Sequence, residues 1–328
     1  MKFGIFDHID ANGSPIAEQY AERLRLVERY EALGYYCYHL TEHHATDLGM
    51  ASSPSVFLAA VAQRTSTIKL GTLVYLLPLH HPLRLLEEIG MLDQLSGGRF
   101  QLGVGRGGQP AEHSRFGLAE ADLAPMFDEA LALVEEGLGG TIRAHKGAYY
   151  DLPDVELRIR PLQRPPLWYG TGSPHRNQWA AERSVNLLTL VPNARGREIN
   201  DDYREKLAKL GKPEPFIGQA RQMVVAPTDA EAEAIAERAW QRFAVSFNWL
   251  LTWLGRDPFP IPQTFAAAAA AGLAFAGSPD AVRQFVERAR DEAGSNYLAL
   301  ELAFGDITEA EAGQSAELFA REVAPHFA

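Results

Sequence analysis

Apolar residues along this chain fall into short strand-like runs separated by stretches with helical periodicity, from end to end. That alternation is the pattern of parallel strands covered by helices. Strands are predicted over residues 3–7, 36–40, 68–77, 100–105, 167–170, 185–190, 216–226 and 297–303. The first helix is predicted over 16–33, where Tyr20, Leu24, Val27 and Tyr30 share one face and Gly34 ends the run. Further helices are predicted over 53–64, 82–95, 122–138 and 279–293, with Pro82 well placed in a first turn. Eight strand–helix repeats match a (β/α)8 TIM barrel, and a doubly wound open sheet is the competing architecture. Two insertions interrupt the repeat. Residues 139–165 alternate around Gly147 as a hairpin excursion would, and 255–277, with several prolines and the run Ala266 to Ala271, reads as loop and lid.

With 328 residues and 46% apolar content, one barrel with insertions accounts for residues 1–328 as a single domain. The net charge of −11 reflects 42 acidic against 31 basic residues with no block of one sign. Nucleic acid and anionic membrane are therefore poor partners, and a small neutral or apolar molecule is a better one. A lone cysteine, Cys37, excludes an intrachain disulfide and a Cys-based zinc cluster and suits a reducing cytoplasm. No signal peptide is expected, since the first residues run straight into a strand, and no segment reads as a membrane span.

The chemistry-bearing residues sit at strand ends. Thr41-Glu42-His43-His44 follows the second strand, at the barrel mouth where ligands are held. Adjacent side chains on extended backbone point to opposite faces, so one of the two histidines is expected in the cavity and the other in packing. His80 and His81, after the third strand, read as loop and helix-start residues. The run Gly103, Val104, Gly105, Arg106, Gly107, Gly108 matches a dinucleotide fingerprint in form, but it closes a strand and runs into Gln109-Pro110, so a Rossmann reading is rejected. Its glycines instead admit a ligand close to backbone, and Arg106 offers a guanidinium fork for phosphate or an anionic ring. Thr171, Gly172 and Ser173, between the fifth strand and a helix start, supply hydroxyls and free N–H groups of the kind that hold phosphate.

Taken together, Glu42-His43-His44, the run from Lys69 to Pro78, His81-Pro82, and Leu92-Asp93-Gln94-Leu95-Ser96-Gly97-Gly98-Arg99-Phe100 continuing through Arg106 resemble the bacterial luciferase-like monooxygenases. The match is close over the first 120 residues and looser beyond, through Thr171-Gly172-Ser173 and Gly277-Ser278-Pro279. The resemblance implies a TIM barrel that binds FMN, used as FMNH2 from a separate flavin reductase, with dioxygen added to give a C4a-hydroperoxyflavin. It implies that His43 is the catalytic histidine and that Leu73 and Val74 form a non-prolyl cis peptide behind the flavin ring. It assigns Arg106, Thr171, Gly172 and Ser173 to the phosphate region, and it implies a homodimer. Gly105 stands where light-emitting alpha subunits carry a reactive cysteine, a departure that argues against bioluminescence.

The reading is thus a monooxygenase acting on a small organic molecule such as an aldehyde or ketone, with Phe247, Trp249, Trp253 and Phe265 as candidates for the lid side of an apolar pocket. The alternatives are an F420- or FMN-dependent oxidoreductase that inserts no oxygen, and a non-catalytic flavin-binding partner subunit. A metal-dependent hydrolase is a further competitor because of His8, His43, His44, His80 and His81. Against it, adjacent histidines chelate one ion poorly and no His-x-His pair lies on the first strand, so no metal is expected.

Overall fold

The computed structural model describes residues 1–328. Eight parallel strands form its centre: β1 (Lys2–Asp7), β2 (Cys37–Leu40), β3 (Lys69–Thr72), β4 (Phe100–Gly105), β5 (Leu167–Gly170), β6 (Asn186–Thr189), β7 (Ile217–Val225) and β8 (Tyr297–Glu301). Each pairs with its neighbour in sequence, and β8 pairs with β1, so the sheet closes into a TIM barrel and the open-sheet alternative is excluded. Strands in such a barrel are covered on both faces. That is why they read as nearly continuous apolar runs in the sequence instead of alternating ones.

Two cores result. Outside the strands, 62 buried residues pack the sheet against the helices, including Leu26, Val27 and Tyr30 of the first helix. Inside the barrel a smaller cluster contains Phe6, Leu73, Trp168, Leu188, Ala220, Tyr297 and Ala299. Its lower part is aromatic: Trp168 stacks on Phe216 at 5.8 Å between centroids, and Tyr297 lies 4.9 Å from Trp168 and 5.2 Å from Phe216. The polar ends of these rings are satisfied, since Trp168 Nε1 donates to Gln101 at 3.0 Å and the Tyr297 hydroxyl lies 2.8 Å from His39 Nε2. This plug fills the barrel from below, and its upper members Phe6, Leu73 and Leu188 become the floor of a cavity at the C-terminal mouth.

The stretch from Ser96 to Arg99 is structural. Gly97 and Gly98 take positive φ (66° and 79°) to end the helix Pro82–Ser96. The Arg99 side chain, 7% exposed, then donates to the carbonyls of Ser96, Ile68, Ala62 and Thr65, tying two helices to the entry of β3. Burial pulls its basicity down, yet no acid is needed where carbonyl oxygens surround the fork.

Two expectations need correction. The strand predicted over 68–77 breaks at Leu73–Val74, whose peptide bond is cis, and resumes only as Tyr75–Leu76 alongside β4. The first insertion is the hairpin expected around Gly147, its arms pairing Thr141–Ile142 with Val155–Glu156 and His145–Lys146 with Asp151–Leu152. The second is not all lid: Phe265–Ala270 is a helix, and Ala274–Gly277 is a strand that pairs in parallel with the far half of β7. At nine residues β7 outruns β8, and the extra strand covers the backbone groups that would be left unpaired. No helix is long and apolar enough to cross a membrane.

Candidate active site

The mouth of the barrel holds an open cavity of about 800 Å³, within the size range of cofactor and small-ligand sites. His43, Leu73, Val74, Arg106, Thr171, Gly172 and Ser173, the seven residues singled out from the sequence, all line it. They come from the exits of β2, β3, β4 and β5, which form one continuous arc of the barrel.

His43 and His44 diverge as extended backbone requires. His43 faces the cavity, and its Nδ1 lies 2.8 Å from a carboxylate oxygen of Glu112. The other Glu112 oxygen accepts the backbone N–H of His44 at 3.0 Å. Glu112 is 1% exposed and stands in the one-turn helix Pro110–His113, a turn not anticipated after Gln109-Pro110. With that carboxylate ionised, Nδ1–H donates to it and Nε2 is left for a ligand.

His44 turns away, edge-on to Phe116 at 4.9 Å, and bonds Glu42 at 2.8 Å. Glu42 is a buried hub that also accepts from His80 at 2.8 Å and from the backbone N–H of Leu76 at 2.7 Å. Burial alone would raise its pKa, but these donors outweigh that and hold it below the ordinary carboxylate range. Burial likewise acts to lower His80, and the bond to Glu42 prevails and raises it. The network fastens the exit of β2 to the backbone just past Leu73–Val74, so Glu42 and His80 position the wall of the site from behind.

At the β4 and β5 exits the surface is cationic. Arg106 is exposed and has no ionic partner within the protein. Arg176, not anticipated from sequence, also lines the cavity, lying 4.8 Å over Phe127 and 2.5 Å from Asp128. Burial raises the pKa of Tyr169 between them, against the pull of both guanidinium groups. The 171–173 turn is less free than expected. The Thr171 hydroxyl donates to the Ser173 carbonyl at 2.6 Å and accepts the Ser173 N–H at 3.2 Å. Only a 3-10 turn and the seven-residue helix Asn177–Arg183 follow, so the expected helix dipole contributes little. Arg106 is the guanidinium without an ionic partner here, and Arg176, shared with Asp128, and the Ser173 hydroxyl stand beside it to meet an anion.

The opposite side of the mouth carries a pair that sequence reasoning missed. His8, at the exit of β1, lines the cavity with Nδ1 2.6 Å from Glu301, the last residue of β8. A charged residue ending an otherwise apolar strand was the available signal. Of the proposed lid aromatics only Phe247 lines the cavity, joined by Phe259. Phe265 is buried against Trp240, and Trp249 stacks on Trp253, which is 64% exposed beneath Arg115. Phe265 therefore belongs to the packing of the short helix Phe265–Ala270, and Trp249 and Trp253 to the outer end of the long helix Asp229–Trp253. No three His, Cys, Asp or Glu side chains converge as a metal site would require.

A closed barrel whose mouth carries a carboxylate-backed imidazole and a cationic rim has the build of the barrel enzymes, whose active sites lie at that end. The model of the luciferase-like monooxygenases matches residues 1–297. The chain belongs to that family, and it is an oxidoreductase. The 4-hydroxyprotoasukamycin monooxygenase of Streptomyces nodosus subsp. asukaensis is 31% identical over 93% of this chain and 86% of its own. Among solved structures, monooxygenase RslO1 of Streptomyces bottropensis superposes with a TM-score of 0.90 at 26% identity, covering 100% of both chains. The oxygenating constituent of 3,6-diketocamphane monooxygenase from Pseudomonas putida, solved with FMN, shares the fold at TM-score 0.82 and 22% identity over 100% of this chain and 99% of that one. So does an F420-dependent tetrahydromethanopterin reductase of Methanopyrus kandleri, at 0.74 and 21% over 100% and 99%.

Proposed function

We propose that this enzyme uses reduced FMN, delivered by a separate flavin reductase, and dioxygen to oxidise a small organic substrate such as an aldehyde or ketone. The observation that carries the reading is the meeting in one cavity of His43, Arg106 and the 171–173 turn beside Leu73 and Val74. The residues fit the group. Two guanidiniums and the Ser173 hydroxyl gather at one edge, the donor set a phosphate needs. Gly105 lets the Val74 side chain occupy the space a Cβ would need, so the apolar wall of Leu73 and Val74 packs directly on the β4 backbone.

Bound reduced FMN supplies the two electrons that activate dioxygen. Arg106 and Arg176 hold its phosphate end, and Leu73, Val74 and Leu188 give the ring an apolar bed. His43, oriented by Glu112, holds or moves a proton at Nε2 beside the reacting oxygen. Phe247 and Phe259 give the rim an apolar surface beside the site. The intact His43–Glu112 pair favours a working enzyme over a non-catalytic flavin-binding subunit.

The test couples the protein to an FMN reductase and follows oxygen consumption dependent on a panel of aldehydes and ketones. His43→Ala should bind FMNH2 as the wild type does and lose turnover by about 10²-fold, the scale of a lost general acid or base. Unchanged turnover would remove His43 from the mechanism. Binding of reduced F420 but not FMNH2 would move the enzyme to the other cofactor.

A further inference from the structure

The cavity has a second carboxylate-held imidazole that the reading above leaves without a task. His8 is 9% exposed, and the surface it retains faces the cavity. Its Nδ1 is fixed 2.6 Å from Glu301, itself 3% exposed, while no protein atom bonds Nε2. The ring is held edge-on by Phe6 at 5.0 Å and lies 5.5 Å from the His43 ring at an interplanar angle of 31°. Two imidazoles, each with a buried carboxylate behind it, thus flank one space.

The order of strands decides which ligand meets His8. Around the closed barrel β1 lies four strands from β5 in either direction, so His8 is across the mouth from the cationic edge of Arg106, Arg176 and Ser173. The walls beside it, Phe6, Leu48, Phe247 and Phe259, are apolar. A ligand there meets a hydrocarbon surface whose polar points are the His8 and His43 rings.

We propose that His8, oriented by Glu301, donates a hydrogen bond from Nε2 to the oxygen of a neutral carbonyl substrate, polarising it and selecting such molecules over hydrocarbons of the same shape. The proposal rests on the flavin reading and extends it to the substrate. Protonated His8 has one N–H committed to Glu301 and the other free for the cavity. Burial works against that proton, but the charge and hydrogen bond of Glu301, aided by Asp10 and Asp7, outweigh it and raise His8 above its ordinary value. The remaining charged groups around the ring are Arg23, which pairs with Asp7 at 3.3 Å, His43, and Arg242, which donates to the Ala11 carbonyl. Asp7 is paired with Arg23, Glu301 is committed to His8, and burial raises Asp10 to about 7, so this side carries little free charge and matches an uncharged acceptor such as a ketone or aldehyde.

The experiment uses the full chain as wild type, His8→Gln and Glu301→Gln, with cyclohexanone labelled at its carbonyl carbon and methylenecyclohexane as its shape-matched hydrocarbon. Anaerobic titration with FMNH2 should give affinities within about twofold for all three proteins, since His8 stands away from the phosphate edge. The carbonyl carbon resonance of cyclohexanone should move downfield on binding wild type and stay near its free position with His8→Gln. In the reductase-coupled assay kcat/KM for cyclohexanone should fall about 10²-fold in His8→Gln and about tenfold in Glu301→Gln. Wild type should prefer the ketone to the hydrocarbon by at least ~10²-fold, because a site built to bond an oxygen rejects an analogue that lacks one. If His8→Gln fails to fold, the resonance and rate measured with Glu301→Gln decide the matter. An unshifted carbonyl in wild type, an equal shift in His8→Gln, or equal turnover of the two probes overturns the role of His8 while intact FMNH2 binding leaves the flavin reading standing. Wild type that does not bind FMNH2 overturns both.

Discussion

Replacing Glu112 with Gln tests whether the carboxylate behind His43 matters to the chemistry or only to the fold. Glu112 is 1% exposed and accepts two hydrogen bonds, from His43 at 2.8 Å and from the His44 backbone at 3.0 Å. Glutamine keeps the shape and one acceptor and removes the charge. A hydrogen bond to a charged group is worth ~1.5–3 kcal/mol against ~0.5–1.5 for a neutral one, so orientation alone loses about 1 kcal/mol. If His43 becomes an imidazolium as the reaction proceeds, the missing charge also withdraws up to about 4 kcal/mol of attraction at ~4 Å and an effective dielectric of ~20. At about 1.4 kcal/mol per tenfold, turnover should fall between about 5-fold and about 4 × 10³-fold while FMNH2 affinity stays put. The assay is reductase-coupled oxygen consumption with a carbonyl substrate, alongside an anaerobic FMNH2 titration and a melting curve to show that the variant is folded. Turnover within twofold of wild type in a folded Glu112→Gln variant would refute the reasoning, because neither orientation nor charge at His43 would then limit the reaction.

Three further outcomes follow from the same geometry. Arg106→Ala removes an exposed guanidinium from the cationic edge, so FMNH2 affinity should drop by about 10- to 10²-fold while reduced riboflavin, which has no phosphate, binds as before. Equal effects on the two ligands would take Arg106 away from the phosphate. Arg99→Met strips four buried backbone carbonyls of their donor, and urea unfolding should show a loss of ~3–5 kcal/mol. A loss under ~1 kcal/mol would mean that water or repacking replaces Arg99 at no penalty. Burial lowers His39 to about 3, below its unfolded value of ~6.5, so the folded chain refuses a proton that the unfolded chain accepts. Stability from this group is therefore full above that unfolded value and falls by up to about 1.4 kcal/mol per pH unit down towards the folded one. His39→Asn should show a shallower decline across that window in urea melts, and an identical slope would reassign the acid sensitivity to other groups.

The barrel was legible because its strands are covered on both sides and therefore carry unbroken apolar runs, bounded by the glycines and prolines that start and stop helices. The arc of site residues was legible for a related reason: strand exits on a closed barrel converge, so His43, Arg106 and Thr171 had to meet if the strands were assigned correctly. What escaped was set by tertiary contact. The strand Ala274–Gly277 is built of small residues and one Phe, and only the length of β7 gives it a partner. Glu112 lies 69 positions from the histidine it orients, and Glu301 lies 293 positions from His8, so neither pairing has a local pattern. The Thr171 hydroxyl looked free in sequence because its partner is a backbone carbonyl two residues on, which no side-chain pattern records.

The central claim is that this cavity holds reduced FMN and controls its reaction with oxygen. Mixing the protein anaerobically with FMNH2, then rapidly with oxygenated buffer, measures that directly through the flavin absorbance. The account predicts stoichiometric binding followed by a persistent absorbance state distinct from both reduced and oxidised FMN, shortened in His43→Ala. Flavin that oxidises at the rate seen in buffer alone, with no such state, would contradict it.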